Sequence, residues 1–347
     1  MEDTLTFAVF LRPATELPGP LAAVALTWAL LVGLSVGSFL NVVIARLPQG
    51  ESLSRPRSRC PGCKTQIAWY DNVPVLSWIL LRARCRRCGV SISARYPFVE
   101  ALIGVLALAL VARYGLSLAA LEMFVFACVL VALAFIDLDT WTVPFELLYV
   151  ITGAGLVMGA LGAVGVTSTS TPVWLAAALE QTPLEGLVER GVGLVAGFLS
   201  LACVNVVFTV LFRLRGRIPG DEWAMGWGDP LLLAGMGAVL GWRALPLVIF
   251  LSSVQGSVVG IALRLTGRMP GDSRAPDGED VDPSAELPAE AGAGSTQEGD
   301  GGDDDEEWVP PPTALPFVPF LALAGLEVAF FGDRILGLIS RVMGSPF

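Results

Sequence analysis

Four cysteines form two Cys-x-x-Cys pairs, Cys60-Pro-Gly-Cys63 and Cys85-Arg-Arg-Cys88, separated by residues 64 to 84. Each pair can bend two thiolates onto one ion, and the intervening chain is long enough to join the pairs in a tetrahedral zinc site. The chain has no histidine, so such a site is all-cysteine: Cys60, Cys63, Cys85 and Cys88. Two disulfides are the competing reading. The surrounding charge argues against it, because Arg46 to Arg95 holds ten basic residues against only Glu51 and Asp71. By the positive-inside rule this loop is cytoplasmic, where thiols stay reduced.

The absence of histidine also excludes Ser-His-Asp and Cys-His triads and a histidine-ligated catalytic zinc. Carboxylates remain as the acid and base. Two of them sit at the ends of apolar runs, where an ionisable group is costly and needs a reason. Asp137 follows the run 131 to 136 and opens Asp137-Leu-Asp-Thr-Trp-Thr-Val-Pro144, while Asp229 closes Met225-Gly-Trp-Gly-Asp229 ahead of Pro230. Pro230 as the first helical residue makes Asp229 a natural N-cap. Gly226 and Gly228 leave the backbone bare enough for a substrate strand to approach. If Asp137 meets Asp229 across a bundle, the two carboxylates would share a proton. One would then take a proton from water while the other donates to a scissile carbonyl, the chemistry of an aspartic protease. Asp139 rivals Asp137: residues two apart on a helix point about 200° from each other, so both cannot face Asp229, and local physics does not choose between them.

The elements that must position these groups are membrane helices. Of 347 residues, 54% are hydrophobic and only 16% charged, which reads as an all-α polytopic membrane protein. Residues 21 to 45 carry no charge and are long enough to cross a bilayer. The dense basic loop after them reads as the mark of a retained signal anchor with its N-terminus outside. Further candidate spans run 98 to 112, 116 to 136, 145 to 165, 191 to 212, 230 to 242, 244 to 263 and 314 to 332, about eight in all, the second and sixth short. The 46 to 97 loop, the 137 to 144 turn, the 213 to 229 loop and an acidic insert after residue 268 then face the cytoplasm, with Arg213, Arg215, Arg217, Arg264 and Arg268. Arg113, Arg190 and Arg243 fall on the other side, and 166 to 189 is expected as an external loop.

Five regions follow: 1–45, the N-terminal region and first span; 46–97, a small cytoplasmic zinc-binding domain; 98–267, a transmembrane catalytic core; 268–312, an acidic insert; and 313–347, the last span and tail. From Asp272 to Glu307 there are fourteen acidic residues and one basic, a net −13 against −10 for the whole chain, so the rest is mildly basic. That insert lacks the apolar residues for a core and reads as a disordered, solvated spacer. Gly155-x-x-x-Gly159 and Gly256-x-x-x-Gly260 permit close helix approach. Cys128 and Cys203 read as small apolar fillers, and no internal repeat is evident.

These residues resemble the type IV prepilin leader peptidases, bifunctional membrane aspartic peptidases of the GxGD type and N-methyltransferases. The match runs through Gly37-Ser-Phe-Leu-Asn-Val-Val-Ile-Ala-Arg-Leu-Pro48, Arg57-Ser-Arg-Cys-Pro-Gly-Cys63, Asp71-Asn-Val-Pro-Val-Leu-Ser-Trp78, Arg84-Cys-Arg-Arg-Cys-Gly89 and Ile92-Ser-Ala-Arg-Tyr-Pro97. It continues through Ile136-Asp-Leu-Asp-Thr140, Met225-Gly-Trp-Gly-Asp229 and Pro316-Phe-Val-Pro-Phe-Leu-Ala-Leu-Ala324. The resemblance implies that Asp137 and Asp229 are catalytic, by analogy only. It implies cleavage of a basic leader after glycine in prepilins or pseudopilins, then methylation of the new N-terminus with S-adenosylmethionine, for which no glycine-rich motif is seen. It implies the bacterial inner membrane, an active site facing the cytoplasm, and the lipid bilayer but no nucleic acid as partner. The alternative is a catalytically altered assembly or scaffold protein of a pilus or secretion system; both aspartates are present, which argues against it. Such peptidases usually continue Gly-x-Gly-Asp-x-Lys-Leu, whereas here Asp229 is followed by Pro230, Leu231 and Leu232. The acidic insert is also larger than the resemblance leads one to expect.

Overall fold

The computed structural model describes residues 18–165, 182–216, 223–266 and 315–343. The acidic insert, Arg217 and Arg268 lie outside the described residues. Nine α-helices occur among those described: α1 (Gly19–Arg46), α2 (Leu76–Leu80), α3 (Arg95–Tyr114), α4 (Leu118–Thr140), α5 (Phe145–Ala163), α6 (Pro183–Leu214), α7 (Gly228–Leu240), α8 (Leu245–Leu265) and α9 (Val318–Met343). All but the short α2 coincide with the eight predicted spans. Six of them, α1, α3, α4, α5, α6 and the α8 segment, are long and apolar enough to cross a membrane. The protein is therefore a multi-pass membrane protein. Extended pairing among the described residues is confined to two isolated bridges in the cysteine loop.

Helix ends follow local chemistry. Ser117 caps α4 by accepting from the Ala120 amide at 3.1 Å, and Thr182 with Glu185 forms a capping box ahead of Pro183 in α6. This cap starts α6 well before the expected residue 191, so the end of the expected external loop is helix. Glycines in the left-handed region stop α3 at Gly115 and α7 at Gly241, where other residues would be strained.

The chain divides into two units, Met1–Gly256 with Pro316–Phe347, and Ser257–Leu315. In the second, Gly260 approaches Leu315, which a Cβ would meet at 3.5 Å. In the first, α1 packs on α3, and α7 packs on α5 and α6, while α4 contacts α3, α5 and α9. Glycine allows the closest of these approaches. A Cβ on Gly193 of α6 would lie 2.2 Å from the Gly237 carbonyl oxygen of α7, and one on Gly155 of α5 would lie 2.5 Å from that of Ala238. Gly155 thus serves the packing role its spacing predicts, whereas Gly256 meets only the ring of Phe320, at 3.5 Å. Cys128 fills the core as expected; Cys203, by contrast, is exposed on the surface of α6.

The three arginines that break the positive-inside bias all have carboxylate partners. Arg113 meets Asp333 at 3.7 Å and Arg243 meets Glu189 at 4.0 Å. Arg190 is fully buried and forms a fork with Glu122 of α4, its Nη2 donating to Oε2 at 3.1 Å. Its Nη1 also donates to the carbonyls of Gly155 at 3.0 Å and Ala238 at 3.2 Å, so one guanidinium ties α4, α5, α6 and α7 together. Removing one member of a buried pair strands the other charge and costs about 3–5 kcal/mol, whereas replacing both by apolar groups is often neutral. Glu122→Leu should therefore lower the thermal midpoint of the detergent-solubilised protein sharply, and Glu122→Leu with Arg190→Leu should recover much of the loss.

Candidate active site and metal centre

Asp137 lies in the last turn of α4 and is buried, 5% exposed. Its Oδ2 accepts from the Val318 amide at 3.2 Å, the first residue of α9. That amide is one of the donors a helix start leaves unpaired, and the positive end of the helix dipole favours a carboxylate there. Asp139 faces elsewhere. It pairs with Arg95 of α3 at 2.6 Å, and that guanidinium also stacks over Phe135. The two rival carboxylates thus occupy different surroundings, one buried against α9 and one in an exposed ion pair.

Asp229 is half-buried in the first turn of α7. The expectation that it is the N-cap is not met: the helix starts two residues earlier, with Trp227 at the cap and no side chain capping it. Gly228 is free to enter the helix, and Pro230 within the first turn has no amide to satisfy, so Asp229 is not used up as a cap. Its carboxylate is close enough to Asp137 for the two charges to interact. Gly228 makes this closure possible, since a Cβ there would lie 2.6 Å from Cβ of Val143 in the turn after α4. Gly226 has open space around it, so only this first glycine offers the bare backbone expected of both.

The loop before Asp229 is pinned by a residue the sequence analysis did not single out. Asn205 of α6 is fully buried; its Nδ2 donates to the Met225 carbonyl at 2.8 Å and its Oδ1 accepts from the Met225 amide at 3.0 Å. Thr209, one turn on, accepts from the Ala224 amide at 2.9 Å. Phe198 stacks on Trp227, and Trp223 packs edge-on against Trp227. Asn205 had left a signal, a polar amide inside an apolar span, which demands a partner. That partner is the backbone of a loop twenty residues away, which no local pattern reveals.

The four predicted ligand cysteines also come together. All four Sγ atoms lie within 4.8 Å of one another. Cys60 and Cys88 are 3.6 Å apart, near the ~3.8 Å edge of a tetrahedron with Zn–S bonds of ~2.3 Å. No disulfide joins any of them. The two halves repeat each other: the Cys60 amide donates to Thr65 and the Cys85 amide to Val90, each at 2.9 Å, and the bridges Arg59–Gln66 and Arg84–Ser91 close equivalent turns. Lys64 and Gly89, directly after each second cysteine, both take positive φ. A short repeat, 59–67 and 84–92, is thus present where none was evident in sequence. Hydrogen bonds from the Thr65 hydroxyl and then its amide hold the Cys63 thiol down at about 6, and the Cys88 and Arg87 amides lower that of Cys85. Both shifts favour the thiolate, the form that binds metal. Arg86 braces the second turn with a bidentate pair to Asp71, which lowers that carboxyl.

Residues 31–114 match the bacterial peptidase A24 N-terminal domain, and residues 124–261 match the type IV leader peptidase family. A prepilin leader peptidase/N-methyltransferase of Myxococcus xanthus (strain DK1622) is 38% identical over 95% of this chain and 96% of its own length. The chain belongs to the type IV leader peptidase family. Proteins of the same name from Stutzerimonas stutzeri, 33% identical over 88% of this chain and 91% of theirs, and Pseudomonas putida, 32% over 92% and 95%, are similar along nearly the same extent. No solved structure matches the chain. Within this leader peptidase family member the cysteines fall in the first matched region, and Asp137 and Asp229 in the second.

The Asn205 anchor has a direct readout. Each hydrogen bond it supplies contributes about 1 kcal/mol, so Asn205→Leu should speed hydrogen exchange at the Met225 amide by at least about tenfold. Amides inside α7 should stay protected.

Proposed function

We propose that this chain is a membrane aspartic endopeptidase that removes the basic leader of type IV prepilins or pseudopilins after a glycine, and that it also N-methylates the new N-terminus. The observation that carries the first half is the approach of Asp137 on α4 to Asp229 on α7, two carboxylates that form no ion pair with a cation among the described residues. The long similarity to prepilin leader peptidase/N-methyltransferases supports both halves. Asp137 and Asp229 act as the catalytic pair, with one proton between them. The ionised partner takes a proton from water as its oxygen attacks the scissile carbonyl, and the protonated one donates to that carbonyl oxygen. Collapse of the resulting diol then breaks the C–N bond, with a proton passing to the leaving amine.

Cys60, Cys63, Cys85 and Cys88 hold a structural zinc, which their tetrahedral spacing and the thiolate-favouring surroundings of Cys63 and Cys85 suit. S-adenosylmethionine is the methyl donor this reading requires. The protein resides in the bacterial inner membrane with the aspartates and the cysteine loop toward the cytoplasm, in keeping with the arginines of that loop. The substrate's apolar stem lies in the bilayer beside the helices. The chain falls into five functional regions, 1–45, 46–97, 98–267, 268–312 and 313–347, with catalysis in the third.

Purified protein incubated with a prepilin-like peptide should release the leader, scored by the product's mass. Asp137→Asn and Asp229→Asn should each lower that rate by at least about a hundredfold, and Asp139→Asn should leave it near the parent value. Unchanged cleavage in either of the first two variants refutes the pair. Metal analysis should find one zinc per chain, and none after Cys60→Ser with Cys85→Ser; full occupancy in that double variant rules the metal site out.

A further inference from the structure

Apolar side chains exposed on the spans face lipid, but a contiguous group in the cysteine loop lies on no span. Trp69 is 79% exposed, Leu76 52%, Ile79 58% and Leu80 71%. Leu76, Ile79 and Leu80 stand at helical spacing on α2 and share one face. The opposite face fixes the helix. Trp78 donates from Nε1 to the Ile92 carbonyl at 3.0 Å. Ser77 is buried; it accepts from the Val73 amide at 3.0 Å and donates to the Tyr70 carbonyl at 3.1 Å, which ties α2 to the turn Trp69–Asn72. A rigid apolar face of this kind is costly to leave in water and marks a contact surface.

The depth of α2 decides what covers that face. The Val75 amide, just ahead of it, donates to Glu100 Oε2 at 2.7 Å. Glu100 of α3 lies level with Gly37 of α1, where a Cβ would come within 2.7 Å of the Glu100 Cα. Gly37 is about 13 Å along the axis from Arg46. Any ~20-residue hydrocarbon span placed within the uncharged stretch 21–45 includes it. The loop therefore folds back along the flank of α1 and α3, and α2 starts beside residues that lie within the bilayer. A strained turn sets this return. Val75 sits at φ 61° and ψ −49°, with the Leu76 amide donating across it to the Pro74 carbonyl at 2.6 Å, the rare positive-φ γ-turn imposed on a β-branched residue. Such strain persists where the surroundings over-determine it, here through Glu100 and Ser77.

Charge follows directly after the apolar face. The Arg82 amide donates to the Ile79 carbonyl at 3.0 Å and the Arg84 amide to that of Leu81 at 3.1 Å, so both arginines are fixed to the end of α2. Arg82, Arg84 and Arg87 are exposed and form no ion pair among the described residues. Arg86 lies over the Tyr70 ring at 5.7 Å, which brings the second cysteine turn against the aromatic one. The loop's acidic residues do not cancel this charge: there are two, and Asp71 is held by Arg86. An apolar helix face with a tryptophan beside it and arginines at its edge is the pattern of a segment lying in a membrane interface.

We propose that the segment from Trp69 to Leu80 is seated in the leaflet at this end of the bundle, its apolar face at the boundary of headgroups and acyl chains, with Arg82, Arg84 and Arg87 holding the phosphates of anionic lipids. The arginine stems cover apolar surface while their guanidinium groups reach outward to phosphate, whose oxygens they bind in a fork. Such seating requires only that the chain crosses a bilayer and is independent of the aspartate chemistry. It gives the cysteine loop a second attachment besides its two ends.

The full-length protein carrying a photoreactive benzoylphenylalanine at Ile79, or separately at Leu80, is reconstituted into vesicles of phosphatidylethanolamine and phosphatidylglycerol, irradiated, and the adducts identified by mass. Both positions should give lipid adducts, with phosphatidylglycerol enriched over its mole fraction by at least about fivefold. Arg82→Gln with Arg84→Gln and Arg87→Gln should bring the adducts close to the mole fraction, and Arg82→Gln alone, the substitution furthest from the cysteines, should lower the enrichment at least about twofold. A thermal midpoint equal to the parent's reports that each variant is folded. Adducts to a second copy of the chain, or no lipid adduct in a folded variant, overturn the seating. Lipid adducts without phosphatidylglycerol enrichment, or enrichment that survives in both arginine variants, overturn the anionic-lipid assignment.

Discussion

Helix α7 has thirteen residues and so spans about 20 Å, against ~30 Å of bilayer hydrocarbon. It cannot cross alone and must be enclosed by its neighbours. Ten of its residues are buried, and α5 and α6 reach it only because Gly155, Gly193 and Gly197 bring no side chain to the contact. Attraction between membrane helices comes from close packing rather than from expulsion of water, so these glycines carry much of what holds α7 in place. The position of Asp229 at its first turn is a consequence. A longer, lipid-facing helix would have put that carboxylate out at the membrane surface, away from α4.

Charge inside the bundle follows a consistent division. Glu122, Glu189, Asp139 and Asp333 each face an arginine, which is how ionisable groups are accommodated beside hydrocarbon. Asp137 and Asp229 form no ion pair among the described residues. What Asp137 has instead is the first amide of α9, a partial charge fixed in the backbone. Such a partner orients a carboxylate without neutralising it, so it stays able to exchange a proton. The pairs around it are neutralised by cations and, among the described residues, this couple is not, a distinction that depends on partners rather than on burial alone.

Much of this was legible in the sequence, and the exceptions have a common cause. Cysteine spacing and apolar runs are local signals, and the cysteine cluster and the helices lie where they point. What separates the surroundings of Asp137 and Asp139 is not local: it is Arg95, forty-four residues from Asp139, and Val318, 181 residues from Asp137. The capping expectation for Asp229 failed because a proline is welcome at more than one place in a first helical turn. The boundary of α6 was misplaced because Glu189 and Arg190 look like loop charges until their partners on neighbouring elements are known. The repeated cysteine turns escaped notice because their likeness lies in hydrogen bonding and backbone sign, with little shared identity beyond the cysteines and the arginine ahead of each pair.

The residue two positions after Asp229 shows how these constraints meet. Leu231 stands where the resemblance leads one to expect a lysine, and its side chain is half-buried against the main core. An ammonium there would have offered the aspartate pair a full positive charge; an apolar side chain offers none. Among the described residues, the α9 terminus at Asp137 is what remains for electrostatic support. That places more weight on the entry to α9, where Pro316 and Pro319 flank Val318. Prolines there fix φ and remove competing donors, so the Val318 amide is presented to Asp137 by the stiffness of the segment that carries it. Among the described residues, the positive end at this site thus comes from the geometry of a helix start.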